Sequence, residues 1–216
     1  MKRILFLFIA SLYVASATAT DFWDNQRPDK RMTLGLRAGV NASKQYATDC
    51  HADQSFRLGY QAGVALDLNL IRSMSLNTGL MFYQKGWKDK YDEVRGHIKW
   101  TDNAIYIEIP VLASYRVPLN DNVGFQLNFG PYLACGIGGK TKVSSDFATT
   151  YNYKLDSFDE DRGRNRFDVG LSAGAAFTIS HFYVGACYER GLLNTSQLAD
   201  YSYRNGTVAL NIGYNF

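Results

Sequence analysis

A strict period of two, held over unusually long runs, restricts what this chain can fold into more than any other feature. In TLGLRAGVNAS, residues 33–43, the apolar Leu34, Leu36, Ala38, Val40 and Ala42 alternate with Thr33, Gly35, Arg37, Gly39 and Asn41. In FRLGYQAGVALDLNL, residues 56–70, the apolar set is Phe56, Leu58, Tyr60, Ala62, Val64, Leu66 and Leu68. Arg57, Gly59, Gln61, Gly63, Asp67 and Asn69 occupy the opposite phase. Neighbouring side chains of a strand point to opposite faces, so each run has one apolar and one polar face. Six further runs follow, at about 74–85, 103–117, 123–137, 165–179, 182–193 and 205–216, making eight in all. Globular strands average about 5–6 residues, whereas a membrane strand needs about 9–11 tilted residues plus its rims. Run length therefore favours a membrane barrel over a soluble sandwich.

The connections point the same way. Segments 70–73, 118–122 and 180–181 are short, and segments 44–55, 86–102, 138–164 and 194–204 are long and polar. A membrane barrel has short periplasmic turns and longer external loops. The expected fold is all-β: an eight-stranded antiparallel transmembrane β-barrel, an up-and-down meander with short periplasmic turns and long external loops. Both termini of the mature chain then lie on the periplasmic side.

Glycine adds an independent sign. Gly35, Gly39, Gly59, Gly63, Gly79, Gly124, Gly130, Gly136, Gly170, Gly174, Gly185 and Gly213 share the polar phase. Interior glycine weakens a free strand, but in a narrow barrel small residues make room for large ones opposite. Tyr83, Tyr106, Tyr132 and Tyr183 stand in that phase and are expected to fill the space. Outward aromatics fall into two belts suited to the two membrane interfaces. Phe56, Tyr60, Phe82, Phe167 and Tyr188 form the outer belt, and Tyr115, Phe125, Phe177, Phe182, Tyr214 and Phe216 the periplasmic one.

Average properties would not have revealed this. The chain is 46% hydrophobic with a mean hydropathy of −0.22, but alternating faces cancel in any average. Residues 1–19 read as a signal peptide. Lys2 and Arg3 precede an apolar run from Ile4 to Val14, and cleavage after Ala17 or Ala19 would leave Thr18 or Thr20 first. That run is shorter than the roughly 20 residues of a spanning helix. Residues 20–31 are expected to be a periplasmic N-terminal segment and 32–216 the barrel. The formal charge of +3 falls to +1 without Lys2 and Arg3, so nothing suggests nucleic acid as a partner. The cysteines, Cys50, Cys135 and Cys187, cannot all pair and match no metal spacing.

The lumen phase carries Arg37, Arg57, Lys85 and Arg116 beside Asp67, Glu108, Asp168 and Glu189. Unpaired buried charge is very costly, so these groups are expected to form a structural salt-bridge network. Strand direction places Glu108 near the level of Arg37, Arg57 and Lys85, and Asp67 near Arg116. Pro110 lacks a ladder donor, and a bulge beside Glu108 is expected to accommodate it. No catalytic residue, cofactor or metal site is assigned. His51 and His97 fall in external loops and His181 in a periplasmic turn. The acids Asp156, Asp159, Glu160 and Asp161 lack the spacing of a known calcium loop and read as a solvated segment.

Several segments together resemble the PorT-like outer-membrane β-barrel family: LGLRAGVNAS, GYQAGVALDLNL, LNTGLMFYQKG, YIEIPVLASYRV, FGPYLACG, FDVGLSAGAAF and LNIGYNF. The most specific piece is Ile107-Glu108-Ile109-Pro110 followed by Tyr115-Arg116. The resemblance runs from about residue 32 to the end and implies a Gram-negative outer-membrane barrel. The founding member is linked to type IX secretion, a role that barrel resemblance does not transfer. The final strand, with Tyr214 and the terminal Phe216, resembles the assembly signal read by the outer-membrane insertion machinery. Asn211 stands where that signal usually has Gly, so only the ending carries over. The expected function is a structural or interaction barrel of the cell envelope, surrounded by outer-membrane lipid, with a secretion-system or other envelope protein as the expected protein partner. The alternative is an outer-membrane lipid-modifying enzyme with a site at the rim or in the loops.

Overall fold

The computed structural model describes residues 24–47, 55–93, 96–145, 151–158, 164–196 and 202–216. The expected signal peptide, Cys50, His51, Asp159, Glu160 and Asp161 lie outside the described residues.

Eight antiparallel strands close on themselves. In chain order the described strands are β1 (Met32–Ala47), β2 (Ser55–Ile71), β3 (Met74–Lys85), β4 (Trp87–Glu93), β5 (Gly96–Thr101), β6 (Ala104–Asn120), β7 (Val123–Ser145), β8 (Tyr151–Asp156), β9 (Phe167–Ile179), β10 (Phe182–Gly191) and β11 (Tyr203–Asn215). The barrel runs β1-β2-β3-β6-β7-β9-β10-β11 and returns to β1, where Leu36 stands opposite Tyr214 and Val40 opposite Leu210. Closure removes the unpaired edges of an open sheet. The short turns are Arg72–Ser73, Asp121–Asn122 and Ser180–His181. In the last of these, Ser180 adopts a left-handed φ of 53°, the geometry that two-residue hairpin loops demand.

The faces follow the sequence alternation. Leu36, Val40, Leu210 and Ile212 are 52, 59, 59 and 64% exposed, while Arg37, Asn41 and Ala209 between them are buried. An apolar exterior of this extent, wrapped around a polar interior, suits a lipid surround. The glycines leave space for rings. A Cβ at Gly136 would overlap the Phe158 ring, and one at Gly170 would come within 2.6 Å of the Tyr132 ring. Tyr83, Tyr106 and Tyr132 are buried as the alternation requires. The periplasmic belt is continuous: Phe125 packs 5.1 Å from Phe177, and Tyr214 lies 5.5 Å from Phe182 and 5.3 Å from Phe216, centroid to centroid.

Two expectations need correction. Segments 86–102 and 138–164 are not simply loops, because most of their described residues are strand. After Gly86 the β3 ladder continues as β4, β5 leads into β6, and β7 runs on to pair with β8. The result is an external sheet in the order β2-β4-β5-β7-β8. These segments read as loops because their outward positions hold lysine where the membrane strands hold leucine. Nor does a bulge accommodate Pro110. The register Thr78↔Val111 and Met81↔Glu108 runs unshifted past it, and pairing is simply interrupted between those points, opposite Gly79 and Leu80. The nearest shift lies between Ile105 and Tyr106 on the β7 side. A missing donor costs least where the ladder is already open.

Candidate functional site

The lumen residues come together in layers. In the upper half, Lys85 at the end of β3 reaches across to β6 and β10. Its Nζ lies 2.6 Å from Glu108 Oε2 and 2.9 Å from Glu189 Oε2, and all three side chains are buried. The Tyr83 and Tyr132 rings each stand 4.7 Å from the same ammonium. One cation thus serves two carboxylates inside an aromatic collar, where charge-assisted bonds are strongest.

Above this layer, Asp168 Oδ2 accepts from Asn205 Nδ2 at 2.7 Å and from Tyr132 Oη at 3.3 Å. Next comes an ion pair the sequence reading missed: Arg164 Nη1 to Asp102 Oδ2, 2.6 Å, with both side chains buried. Asp102 Oδ1 accepts from Ser157 at 2.7 Å and from Thr141 at 2.8 Å, and Arg164 also donates to Asn205. Phe158, beside Ser157, enters the lumen and meets Tyr106 edge to face at 5.6 Å. Asp102 had a sequence signal, since it shares the phase of Ala104, Tyr106 and Glu108 and lies one step beyond the expected strand. Arg164 had none: its partner is 62 residues away and its neighbours alternate no longer.

The periplasmic layer holds Arg116, whose Nη2 is 3.1 Å from Asp67 Oδ2 and whose Nη1 donates to Asn69 Oδ1 at 2.6 Å. Asn77 donates to the other Asp67 oxygen at 2.7 Å. Arg37 belongs to this lower level and not to that of Glu108. It stands opposite Gly213 near the chain end, donates to Asn215 Oδ1 at 2.7 Å and lies 4.0 Å over the Tyr183 ring. Arg57 is high in β2, and its buried Nη1 has no hydrogen-bond partner among the described residues. The expected set of four cations and four anions is therefore not fully paired internally: Arg37 and Asp168 are met by neutral groups.

Space follows the same layering. A cavity of about 70 Å³ lies at mid-lumen between Arg37, Tyr83, Glu108 and Asn128. A vestibule of about 930 Å³ opens at the periplasmic mouth beside Lys30, Arg72, Arg116 and His181. Residues 24–31 run along that mouth, held by Arg72 N to Gln26 O at 3.1 Å and Arg72 to Asp29 at 3.2 Å. The histidines do not converge with these groups. His181 is exposed and stacks on Tyr214, and His97 stands on β5 opposite Asp92. The Asp156 carboxylate accepts from Phe158 N at 2.9 Å, which shapes the turn after β8. Among the described residues no group of three His, Cys, Asp or Glu is placed to hold a metal.

A closed antiparallel barrel with an apolar exterior and a charged, side-chain-filled interior defines an integral outer-membrane protein. The family model described as outer membrane protein beta-barrel domain matches residues 22–197, and the chain belongs to that family. Its place is the Gram-negative outer membrane. No curated protein matches the sequence. Among solved structures it is similar to Ail, the attachment invasion locus protein of Yersinia pestis, in complex with the heparin analogue sucrose octasulfate. That match has 16% identity and a TM-score of 0.41, covering 87% of this chain and 100% of that one. It is also similar to Neisserial surface protein A, at 11% identity and TM-score 0.42, covering 85% and 97%. A third is the outer membrane protein OprG from Pseudomonas aeruginosa, at 11% identity and TM-score 0.43, covering 90% and 99%.

Proposed function

We propose that the protein is a structural or interaction barrel of the cell envelope, from the PorT-like branch of its family, acting through its surfaces and not by transport through its lumen. The observation behind this reading is Lys85 clamped between Glu108 and Glu189, with Tyr83, Tyr106, Tyr132 and Phe158 filling the space around it. Opening a path would break a buried ion pair, a change that typically costs about 3–5 kcal/mol. The charges of the lumen then act as a structural network, and no residue is assigned a catalytic, cofactor or metal role. On this reading the chain is exported by its signal peptide, and its last strand, with Tyr214 and Phe216, presents the assembly signal to the insertion machinery. An envelope protein, within a type IX secretion assembly or outside it, is the expected protein partner.

The test is electrical. Purified protein inserted into planar bilayers should give no steady conductance, and a stable open channel from the wild type would overturn the closed-lumen reading. The lipid-modifying alternative is tested separately by the lipid A mass profile of a deletion strain, which should be unchanged. Affinity purification of the detergent-solubilised protein then identifies the envelope partner.

A further inference from the structure

We propose that the outward face of the external sheet is a docking surface for the phosphate groups of the outer-leaflet glycolipid. The register carries this. Lys88, Thr101, Lys142 and Lys154 stand directly opposite one another across β4, β5, β7 and β8. Opposed residues share a face, and so do residues two apart on one strand. Lys99, opposite Ser144, and Lys140, opposite Asp156, therefore join the same face.

The other face is the inner one. Asp89 and Val143 on it are buried, and Thr141 donates to the lumen carboxylate of Asp102 at 2.8 Å. The lysines consequently point away from the lumen, on the side that continues down the barrel into the apolar exterior of Ile105, Ile107 and Ile137. Lys99, Lys140, Lys142 and Lys154 are exposed and Lys88 is half-buried. Among the described residues none of the five has a carboxylate within salt-bridge distance. Two acids hold positions of this face, Asp92 on β4 and Asp156 on β8, and Asp156 has one carboxylate oxygen engaged by Phe158 N.

Like charges directly opposite one another destabilise a sheet, and Lys142 faces Lys154 across about 5 Å of strand spacing. Lysine on an edge strand can be explained as protection against aggregation. That explanation fails for Lys88, Lys99, Lys140 and Lys142, because β4, β5 and β7 each have a strand on both sides. Among the described residues this face keeps more lysines than acids, so an anion from outside them completes it. The surface at this height, immediately above the lipid-facing belt, is the phosphorylated headgroup layer of the outer leaflet. Basic clusters next to a membrane span recognise anionic headgroups in the same way. The proposal adds a lipid partner to the interaction-barrel reading and rests on its orientation, with the long connections outside.

The experiment uses the full mature chain in phosphatidylcholine nanodiscs, titrated with fluorescent lipopolysaccharide in native and dephosphorylated forms. The wild type should bind the phosphorylated form at least roughly tenfold more tightly than the triple variant Lys99→Gln, Lys142→Gln, Lys154→Gln. The preference for phosphate should vanish in the variant, fall with added salt, and return when the same positions are changed to arginine. Both proteins should keep the same heat-dependent gel mobility. If the triple variant does not fold, Lys142→Gln, Lys154→Gln replaces it and should still lose at least roughly threefold. Equal binding by wild type and variant, or no dependence on phosphate, overturns the proposal. So does binding of a soluble acidic polysaccharide without binding of lipopolysaccharide, which would assign the face to that polymer. A conducting wild type would sink the closed-lumen reading and leave this result untouched.

Discussion

Lys85 is the single side chain on which the upper lumen turns, because it lies within bonding distance of two carboxylates and has no competing anion nearer. Removing Glu108 leaves Lys85 one partner, whereas removing Lys85 leaves Glu108 and Glu189 facing each other in a buried space. Breaking a buried pair costs about 3–5 kcal/mol, so Lys85→Ala should lower the unfolding free energy by about that much and Glu108→Ala by less. Asp121→Ala, at an exposed periplasmic turn, should change it by under about 0.5 kcal/mol. Urea titration in detergent, followed by tryptophan fluorescence, gives the three values. Equal, small effects would mean that the lumen charges are solvated. A second residue works in the opposite direction. Ser180 holds a φ of 53°, which an L side chain tolerates poorly and glycine adopts freely. Ser180→Gly should stabilise the protein by about 0.5–1 kcal/mol in the same assay.

At the level of single elements, the membrane strands were legible because lipid and lumen impose opposite demands on alternate residues. That constraint ends where the strands leave the bilayer. Lys88, Lys99, Lys140 and Lys142 sit in regular strand positions, yet without an apolar face the segment reads as a polar loop. Arg164 was lost for the same reason, while Asp102 keeps the phase of Ala104 and Tyr106 and was missed only because it stands one residue before the expected strand. The lower level of Arg37 was hidden too, since the relative height of two strands depends on register, and register is set by pairing across the barrel. Where the period does hold, it makes a sharp prediction. Leu210 is 59% exposed in β11 between Asn211 and the buried Ala209. Leu210→Arg should therefore lower the folding free energy in bilayers by about 2–4 kcal/mol, the cost of charge on the lipid face at mid-membrane. Folding yield into lipid vesicles reads this directly, and an unchanged yield would place Leu210 away from lipid.

At the scale of the whole molecule, the property that turns eight hairpin-linked strands into one closed body is the seam between β1 and β11. Every other barrel neighbour is joined through the chain in sequence, but this ladder brings residue 40 against residue 210. Directly opposed residues in an antiparallel pair have Cα atoms about 4.5–5.5 Å apart, within the range a disulfide spans. Val40 and Leu210 both face outward, so cysteines there meet on the lipid side without disturbing the lumen. The test background carries Cys50→Ser, Cys135→Ser and Cys187→Ala, the last because Cys187 sits against the lumen groups. In that background Val40→Cys with Leu210→Cys should cross-link on mild oxidation. Val40→Cys with Ile212→Cys, offset by two residues on the same face, should cross-link far less. The uncross-linked barrel should migrate faster unboiled than boiled. The cross-linked form should keep a compact mobility even after boiling, because the bond closes a long loop, and should lose it only on reduction. Efficient cross-linking of the offset pair would show a slipped seam. No cross-linking of either pair, in protein that still shifts on heating, would mean that the barrel closes through some other pair of strands.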